Sequence, residues 1–399
     1  MKFVPYPASL PDDVTWQAVE ATQRKFADDS NLSKDFNTLK LVFGLDGYVD
    51  SLYSLVSKRD SVDAFSIMAS MTELARKLDD VAGSSCNVER VLKKHIGGGF
   101  GPNIARATGS LGASVDLIGC LGAPDEIFVS SLPKNVQCHS LGNPGATCAL
   151  EFEDGKVMIT DFGPVNGVTW DLIKARVGLD AITEMFEQSN AIGQGHWALV
   201  PHMNEVWTAW LHDVFPSISN KKRIFFVDPA DMGKRPKAHV KEMVGLLEKI
   251  GNINGLKPIL SLNDKEVLQI IDCFPEIGSV LNFDDYYTIG TKMMERFNID
   301  AIIIHSPHFA TWSSKQRSWH VKEGFTSKPR FTTAAGDHFN GAALVAIASG
   351  IFAPEEALVV ANANTASFVR TGISPDINAL SRFITNYKRY VDEDLDTIV

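Results

Sequence analysis

Short runs of continuous apolar residues recur along most of the chain, separated by longer stretches with apolar positions every three or four residues. LKLVFG, SVDLIGCLG, NAIGQG, RIFFV, KPILSL and DAIIIH are runs of the first kind. Each is short and bounded by glycine or polar residues, so they read as strands buried on both faces. The stretches between them, including IARATGSLG and the Trp-rich segment after Pro201, read as helices. At the start, TWQAVEATQRKFADD has helical spacing behind Asp12 and Asp13, which are expected to cap it. Residues 1–38 are therefore expected to form a helical extension to a main domain covering 39–399. Residues 39–53 (LKLVFGLDGYVDSLY) are expected to be a strand ending at Gly44 and then a polar loop. Residues 61–83 are expected to form one amphipathic helix. Residues 146–163 alternate on both sides of Glu153-Asp154-Gly155-Lys156, which predicts a hairpin standing apart as an antiparallel flap.

Strands alternating with helices imply an α/β domain with a mostly parallel sheet covered on both faces. Ligands of such sheets sit at the carboxyl ends of the strands. The residues just after each strand are thus the first candidates for chemistry: Asp46, Asp50, Gly195, His196, Asp228, Asn263, Glu266, His305 and Ser306.

Composition narrows the partners. The chain has 399 residues, 45% of them hydrophobic, and a net charge of -10. That is ample for a large core, and the acidic balance argues against a nucleic-acid or membrane-surface protein. MKFVPYPASLPDDV lacks the apolar core of a secretory signal, and no apolar run approaches a membrane span. The five cysteines are scattered without a C-x-x-C pair, so reduced thiols and a cytoplasmic location are expected.

Two stretches carry candidate chemistry. In IGGGFGPNIARA, Gly97, Gly98, Gly99 and Gly101 lead into Asn103 and a helix. A dinucleotide fingerprint requires a strand running straight into the glycines. Here a helix is expected before them, so a loop closely approaching a polar substrate is the better functional reading. Asn103 would offer both a donor and an acceptor to hydroxyls; a plain structural turn is the alternative. In FTTAAGDHFNGAALVAIASG (331–350), Asp337 stands before a small-residue helix. A helix cap explains the Asp but not the glycine and alanines before it. The N–H groups of Ala335, Gly336 and Asp337 could form a nest for an anion. A carboxylate beside such a nest suits a base that takes a hydroxyl proton during phosphoryl transfer.

GGGFGPNIARATGSLGASVDLIGCLG resembles the first signature of the ribokinase-like (PfkB) carbohydrate kinases, and TTAAGDHFNGAALVAIASG resembles their second. VDPA, the Asn-x-x-Glu of LSLNDKEV and the tail ANANTASFVRTGISP also match family positions. The resemblance implies a three-layer α/β/α fold with a small β lid, the lid falling on the 146–163 hairpin. It implies transfer of the γ-phosphoryl of ATP to a hydroxyl of a carbohydrate or related small molecule. Asp337 would be the base, with Ala334, Ala335 and Gly336 as the anion hole. Gly98, Gly99 and Asn103 would face the sugar, with Asp50 and, second, Asp46 holding its hydroxyls. Asn263 and Glu266 would organise Mg²⁺, Glu266 through water, with His305, Ser306 and Asn364 toward the nucleotide. The same two residues fit a helix capping box equally well. A monovalent cation and a homodimer paired through the lid are further implications.

Departures from the family pattern leave rivals open. IIIHSPHFATW stands where most members have Thr-x-Gly-x-x-Gly, and a His-Ser sequence there is reminiscent of the ADP-dependent branch. A non-catalytic binding member is the rival from another class. His308, His338 and the pocket candidates His196 and Trp197 have no assigned role, and the region 61–83 suggests a rebuilt lid.

Overall fold

The computed structural model describes residues 13–27, 29–122, 126–281 and 285–399; Asp12, and with it half of the expected cap, lies outside the described residues. The N-cap of the helix Thr15–Phe26 is Val14, which makes no side-chain cap bond; Asp13, one residue earlier, accepts from the Thr15 amide through Oδ1 at 3.0 Å.

Fourteen strands appear among the described residues: β1 (Lys40–Leu45), β2 (Tyr48–Arg59), β3 (Phe65–Ile67), β4 (Arg90–Gly98), β5 (Ser114–Gly119), β6 (Val136–Ser140), β7 (Gly145–Phe152), β8 (Gly155–Asp161), β9 (Ala191–Gly195), β10 (Arg223–Val227), β11 (Leu256–Asn263), β12 (Ala301–His305), β13 (Phe309–Ser313) and β14 (Ser318–Lys322). Nine of them form one sheet in the order β14-β13-β12-β11-β10-β9-β1-β5-β6. From β6 to β12 every pair is parallel, and β13 and β14 add an antiparallel edge. Side chains alternate between two apolar clusters, one on each face: Ala301 and Ile303 join one, Ile302 and Ile304 the other. This two-sided burial explains the unbroken apolar runs of the sequence.

The helices Phe100–Ser110, Ala335–Ser349 and Pro354–Thr371 cover one face. Thr15–Phe26 packs behind them through Ala18, Val19 and Phe26. Leu179–Gln188, Met203–Asp213, Lys237–Gly251, Asp264–Cys273 and Tyr286–Arg296 cover the other face. None of the five cysteines is in a disulfide.

The second sheet corrects several expectations. It has the order β3-β2-β7-β8 with β4 paired to the other edge of β2, so the lid is five strands and not a lone hairpin. The expected loop after Gly44 is β2, and the expected helix over 61–83 is only Met71–Asp80, started by Ser70 accepting from the Glu73 amide at 3.1 Å. A strand, β4, does lead into the glycines. It runs antiparallel to β2 in the lid, so the dinucleotide arrangement is still not met. These strands escape sequence patterning because their partners are remote and much of their surface is solvated; Lys93, Lys94 and His95 of β4 are exposed.

One packing contact positions the site. Helices Phe100–Ser110 and Ala335–Ser349 touch at small residues, and a Cβ on Gly341 would lie 3.0 Å from the Ala107 Cβ. The apolar, alanine-rich run after Asp337 therefore permits close approach as well as burial. Gly341→Leu is expected to push the helices apart, lowering stability by about 1–3 kcal/mol in urea unfolding, well beyond the effect of an exposed control such as Asn378→Ala.

Candidate active site

The two helices that meet at Gly341 each bring one side chain to the carboxyl ends of the sheet. Asn103, in the first turn of one, donates from Nδ2 to Asp337 Oδ2, in the first turn of the other, at 2.9 Å. The Asn103 Oδ1 accepts from Arg106 at 3.0 Å, which fixes the amide so that its NH₂ faces Asp337. Arg106 is itself anchored by the carbonyls of Gly97 and Ser131. On its other oxygen, Asp337 lies 3.3 Å from His196 Nε2 at the end of β9. Asp337 is nearly buried, at 4% exposure.

The glycines before Asn103 make room for carboxylates. A Cβ on Gly98 would meet Asp50 Oδ2 at 2.7 Å, and one on Gly99, where φ is +100°, would meet Asp46 at 3.0 Å. Asp46 is fully buried and accepts from the amides of Phe100 and Gly101 at 2.9 Å each, closing the helix start. Burial pushes its carboxyl up to about 6, against the opposing pull of His196. Asp50 lies on β2, where burial raises its pKa and Thr147 opposes the rise by hydrogen bonding.

Behind Asp337 lies a group of buried charges. The ligand-type atoms of His196, Asp228 and Asp337 fall within 4.8 Å of one another. Asp228, following β10, accepts from Asn340 Nδ2 at 2.8 Å and from the Ala230 amide at 2.9 Å. Burial pushes Asp228 up to about 6. Glu266 is pushed up to about 8 by burial and then by the charge of Asp228. Burial opposes a charge on His196, but the hydrogen bond and charge of Asp337, with Asp228 and Asp46 behind it, lift it to about 10. His196 is thus an imidazolium at neutral pH, set among acids that hold their protons unusually long. Such a set of hard oxygen donors, short of positive charge, suits a divalent cation.

Asn263 and Glu266 form the capping box of Asp264–Cys273. Asn263 Oδ1 accepts from the Glu266 amide, and Glu266 Oε2 accepts from the Asn263 amide, both at 2.9 Å. The cap and the acidic site therefore use the same residue, since Glu266 also stands beside Asp228.

A cavity of about 410 Å³ opens on this side, lined among others by Asn263, His305, Ser306, Ala335, Gly336 and Thr365. His305 stacks on Phe339 at 4.6 Å, and burial pulls it down to about 4, so it is neutral. Ser306 Oγ accepts from the amides of His308 and Phe309 at 3.1 and 3.2 Å, which shapes the turn into β13. His308 stacks on Phe325 at 4.3 Å. Asn364 is buried in helix Pro354–Thr371 without a hydrogen-bond partner in the structure. Its neighbour Thr365 lines the cavity and donates to the Ala335 carbonyl at 2.7 Å.

The helix at Asp337 begins on Ala334, whose φ of +68° is left-handed. The position requiring the unusual backbone is thus an alanine, while Gly336 sits inside the first helical turn with a regular φ. The Ala335 amide bends back to Thr332 O at 3.3 Å. The amides of Gly336 and Asp337 are those a helix start leaves without intrahelical acceptors. Trp197 is a core residue, fully buried and bonded to Asn204 at 2.7 Å. Sequence reasoning missed Arg106, Asn340 and Thr365, of which only Arg106 gave a signal, lying one helical turn beyond Asn103.

The acid cluster makes a pH prediction for the protein in EDTA. Glu266, Asp228, Asp46 and His196 all hold their protons to higher pH in the fold than in the unfolded chain. The folded state therefore binds more protons, and their stabilisation, complete in acid, is lost as pH rises toward 10. The melting temperature should fall from about pH 5 to 9, and Glu266→Gln should flatten that fall; an unchanged slope in the variant would contradict the shift.

Comparison with known proteins gives this geometry a family. A family model described as prokaryotic ketohexokinase matches residues 11–387. A ketohexokinase of Haloferax volcanii is 28% identical over 386 residues, covering 96% of this chain and 99% of its relative. In fold the chain is similar to the Thermotoga maritima ribokinase, at 19% identity and a TM-score of 0.58, covering 87% of this chain and 99% of that one. It is also similar to the Arabidopsis thaliana ribokinase in complex with ribose and ATP, at 15% identity and a TM-score of 0.60, covering 87% and 98%. A mutant of the Escherichia coli phosphofructokinase-2 gives 15% and 0.60, covering 89% and 99%. The fold is ribokinase-like and the enzyme is a carbohydrate kinase, a phosphotransferase with an alcohol acceptor: the chain belongs to the prokaryotic ketohexokinase family.

Proposed function

We propose that the protein transfers the γ-phosphoryl of ATP to a hydroxyl of a ketohexose. One observation carries this reading: Asp337 is held on both oxygens, by Asn103 and His196, at the very start of a helix whose first residues, Ala335 and Gly336, line the adjoining cavity. The sugar hydroxyl gives its proton to Asp337 while its oxygen bonds to the γ-phosphorus. The bond from that phosphorus to the bridging oxygen breaks, and ADP leaves. The amides of Gly336 and Asp337, at the positive end of the helix, stabilise charge gathering on the transferred oxygens. Asn103 and His196 hold the base in place, so most of the acceleration is positioning and electrostatics.

In the same reading Asp50, beside Gly98 at the root of the lid, binds sugar hydroxyls, and the five-stranded lid closes over them to exclude water. Asn263 and Glu266, with Asp228, would hold Mg²⁺ and its waters, which supply positive charge at the phosphates. The unpartnered side-chain oxygen of Asn364 is a buried acceptor that a monovalent cation would satisfy. ATP is the donor, in keeping with the ATP-bound ribokinase whose fold the chain shares. A second copy would pair over the lid, which exposes Leu92, Met158 and Ile159; light scattering should give twice the chain mass, and Ile159→Lys should reduce it.

Purified enzyme with Mg²⁺, a sugar panel and either ATP or ADP tests the reading. Turnover is expected with ATP and a ketohexose, and EDTA should abolish it. Asp337→Asn should lower kcat by on the order of 10²-fold or more with KM little changed. A full-rate Asn variant would remove Asp337 as the base, and turnover with ADP alone would change the donor.

A further inference from the structure

Ala334 poses a problem that the fold has to solve. It holds a left-handed backbone, φ +68° and ψ 9°, at the residue preceding the helix that starts the phosphoryl site. An L-residue is strained there, and glycine is the residue that adopts it freely. Nothing about alanine holds the turn, so something else must.

His338, one turn further on, reaches back to it. Its Nδ1 lies 2.7 Å from the Ala334 carbonyl oxygen, and its Nε2 lies 2.7 Å from Ser374 Oγ. The ring is fully buried and stacks on Phe368 with centroids 3.6 Å apart and planes 13° apart. Burial pulls its pKa down to about 4, so the ring is neutral. A carbonyl only accepts, so Nδ1 must carry the proton, and the neutral ring then leaves Nε2 to accept from the Ser374 hydroxyl. One tautomer alone satisfies both contacts. The Ala334 carbonyl also accepts the His338 amide at 3.1 Å, so both of its lone pairs are used.

The consequence follows from peptide planarity. The Ala334 carbonyl shares a plane with the Ala335 amide, so the imidazole orients that peptide. The next plane, carrying the Ala335 carbonyl and the Gly336 amide, is held by Thr365 Oγ1. Two side chains thus grip the two peptides that aim the start of the helix at the cavity. Residues 338 and 374 come from helix Ala335–Ser349 and from the segment beyond helix Pro354–Thr371, so the brace ties the turn to the neighbouring element.

We propose that His338, clamped between Ala334 O and Ser374 Oγ, is a positioning residue for phosphoryl transfer, holding the left-handed turn that lets an alanine stand at the head of the anion-binding helix. This rests on the reading of Asp337 and its helix start as the phosphoryl site. It differs from a packing role, because the strain it opposes belongs to one residue and disappears when that residue is glycine.

A double-mutant cycle reads it out. His338→Ala should lower kcat with ATP and ketohexose by on the order of 10–100-fold, with the sugar KM within about twofold. In an Ala334→Gly background the same substitution should cost about threefold or less, because glycine adopts the turn unaided. An equal loss in both backgrounds overturns the proposal, as does a wild-type kcat for His338→Ala. Should His338→Ala fail to fold, Ser374→Ala cuts the far anchor. It should lower kcat several-fold, with the loss suppressed by Ala334→Gly, and a wild-type kcat there overturns the proposal too. Asp337→Asn in parallel separates the two levels. A full-rate Asn variant overturns both readings, whereas a slow one beside an unaffected His338→Ala overturns the brace alone.

Discussion

The site depends on how closely two helices approach. Where Gly341 meets Ala107 there is no room for another side chain, and the helix axes come together because small residues line both surfaces. Their first turns then stand side by side, with Asn103 within hydrogen-bond reach of Asp337 at 2.9 Å. A larger residue at the crossing would displace that pair by more than a hydrogen bond tolerates. The glycines ahead of Asn103 serve the same end from outside, since Gly98 and Gly99 leave space for the carboxyls of Asp50 and Asp46. The geometry of the candidate site is thus built from absent side chains as much as from present ones.

Given that packing, electrostatics shape the chemistry. Four acids, Asp46, Asp228, Glu266 and Asp337, gather around one imidazolium, His196, in a largely dry environment. Burial lifts Asp46, Asp228 and Glu266 because water no longer stabilises their charge. His196 answers part of this imbalance and holds Asp337 by one oxygen. The rest of the imbalance leaves a set of oxygen donors of the kind that suits a divalent cation. Glu266 belongs to both settings at once: its hydrogen bonds start a helix, and burial beside Asp228 raises its pKa.

How much was legible beforehand varied with the physical origin of each element. The buried parallel strands were plain, because burial on both faces writes unbroken apolar runs such as AIIIH. Asn103 and Asp337 stood out by residue type and setting, whereas Asn263 and Glu266 were singled out only by the family resemblance, since their spacing fits a helix cap equally well. The lid strands β2 and β4 were not legible, because their partners lie far away in sequence, β4 is largely solvated and β2 is partly buried without a regular alternation. The turn at Ala334 was hidden for a different reason: alanine does not announce a left-handed backbone, and its brace, Ser374, lies 40 positions along the chain.

By itself, the chain order of apolar runs and helices determined an α/β architecture with a mostly parallel sheet, and the two glycine- and alanine-rich stretches, through their family resemblance, marked the candidates for phosphoryl chemistry. Only the tertiary structure decided what surrounds each of them. It made Asp46 a helix anchor, placed Asp50 beside Gly98 at the lid root, made Trp197 a core residue, and set His196 against Asp337. It also placed His338, which had no assigned role, between the Ala334 carbonyl and Ser374 Oγ. The reason is physical: local sequence fixes conformational preference and surface polarity, whereas burial, charge compensation and peptide orientation depend on which remote groups the fold brings within about 3 Å.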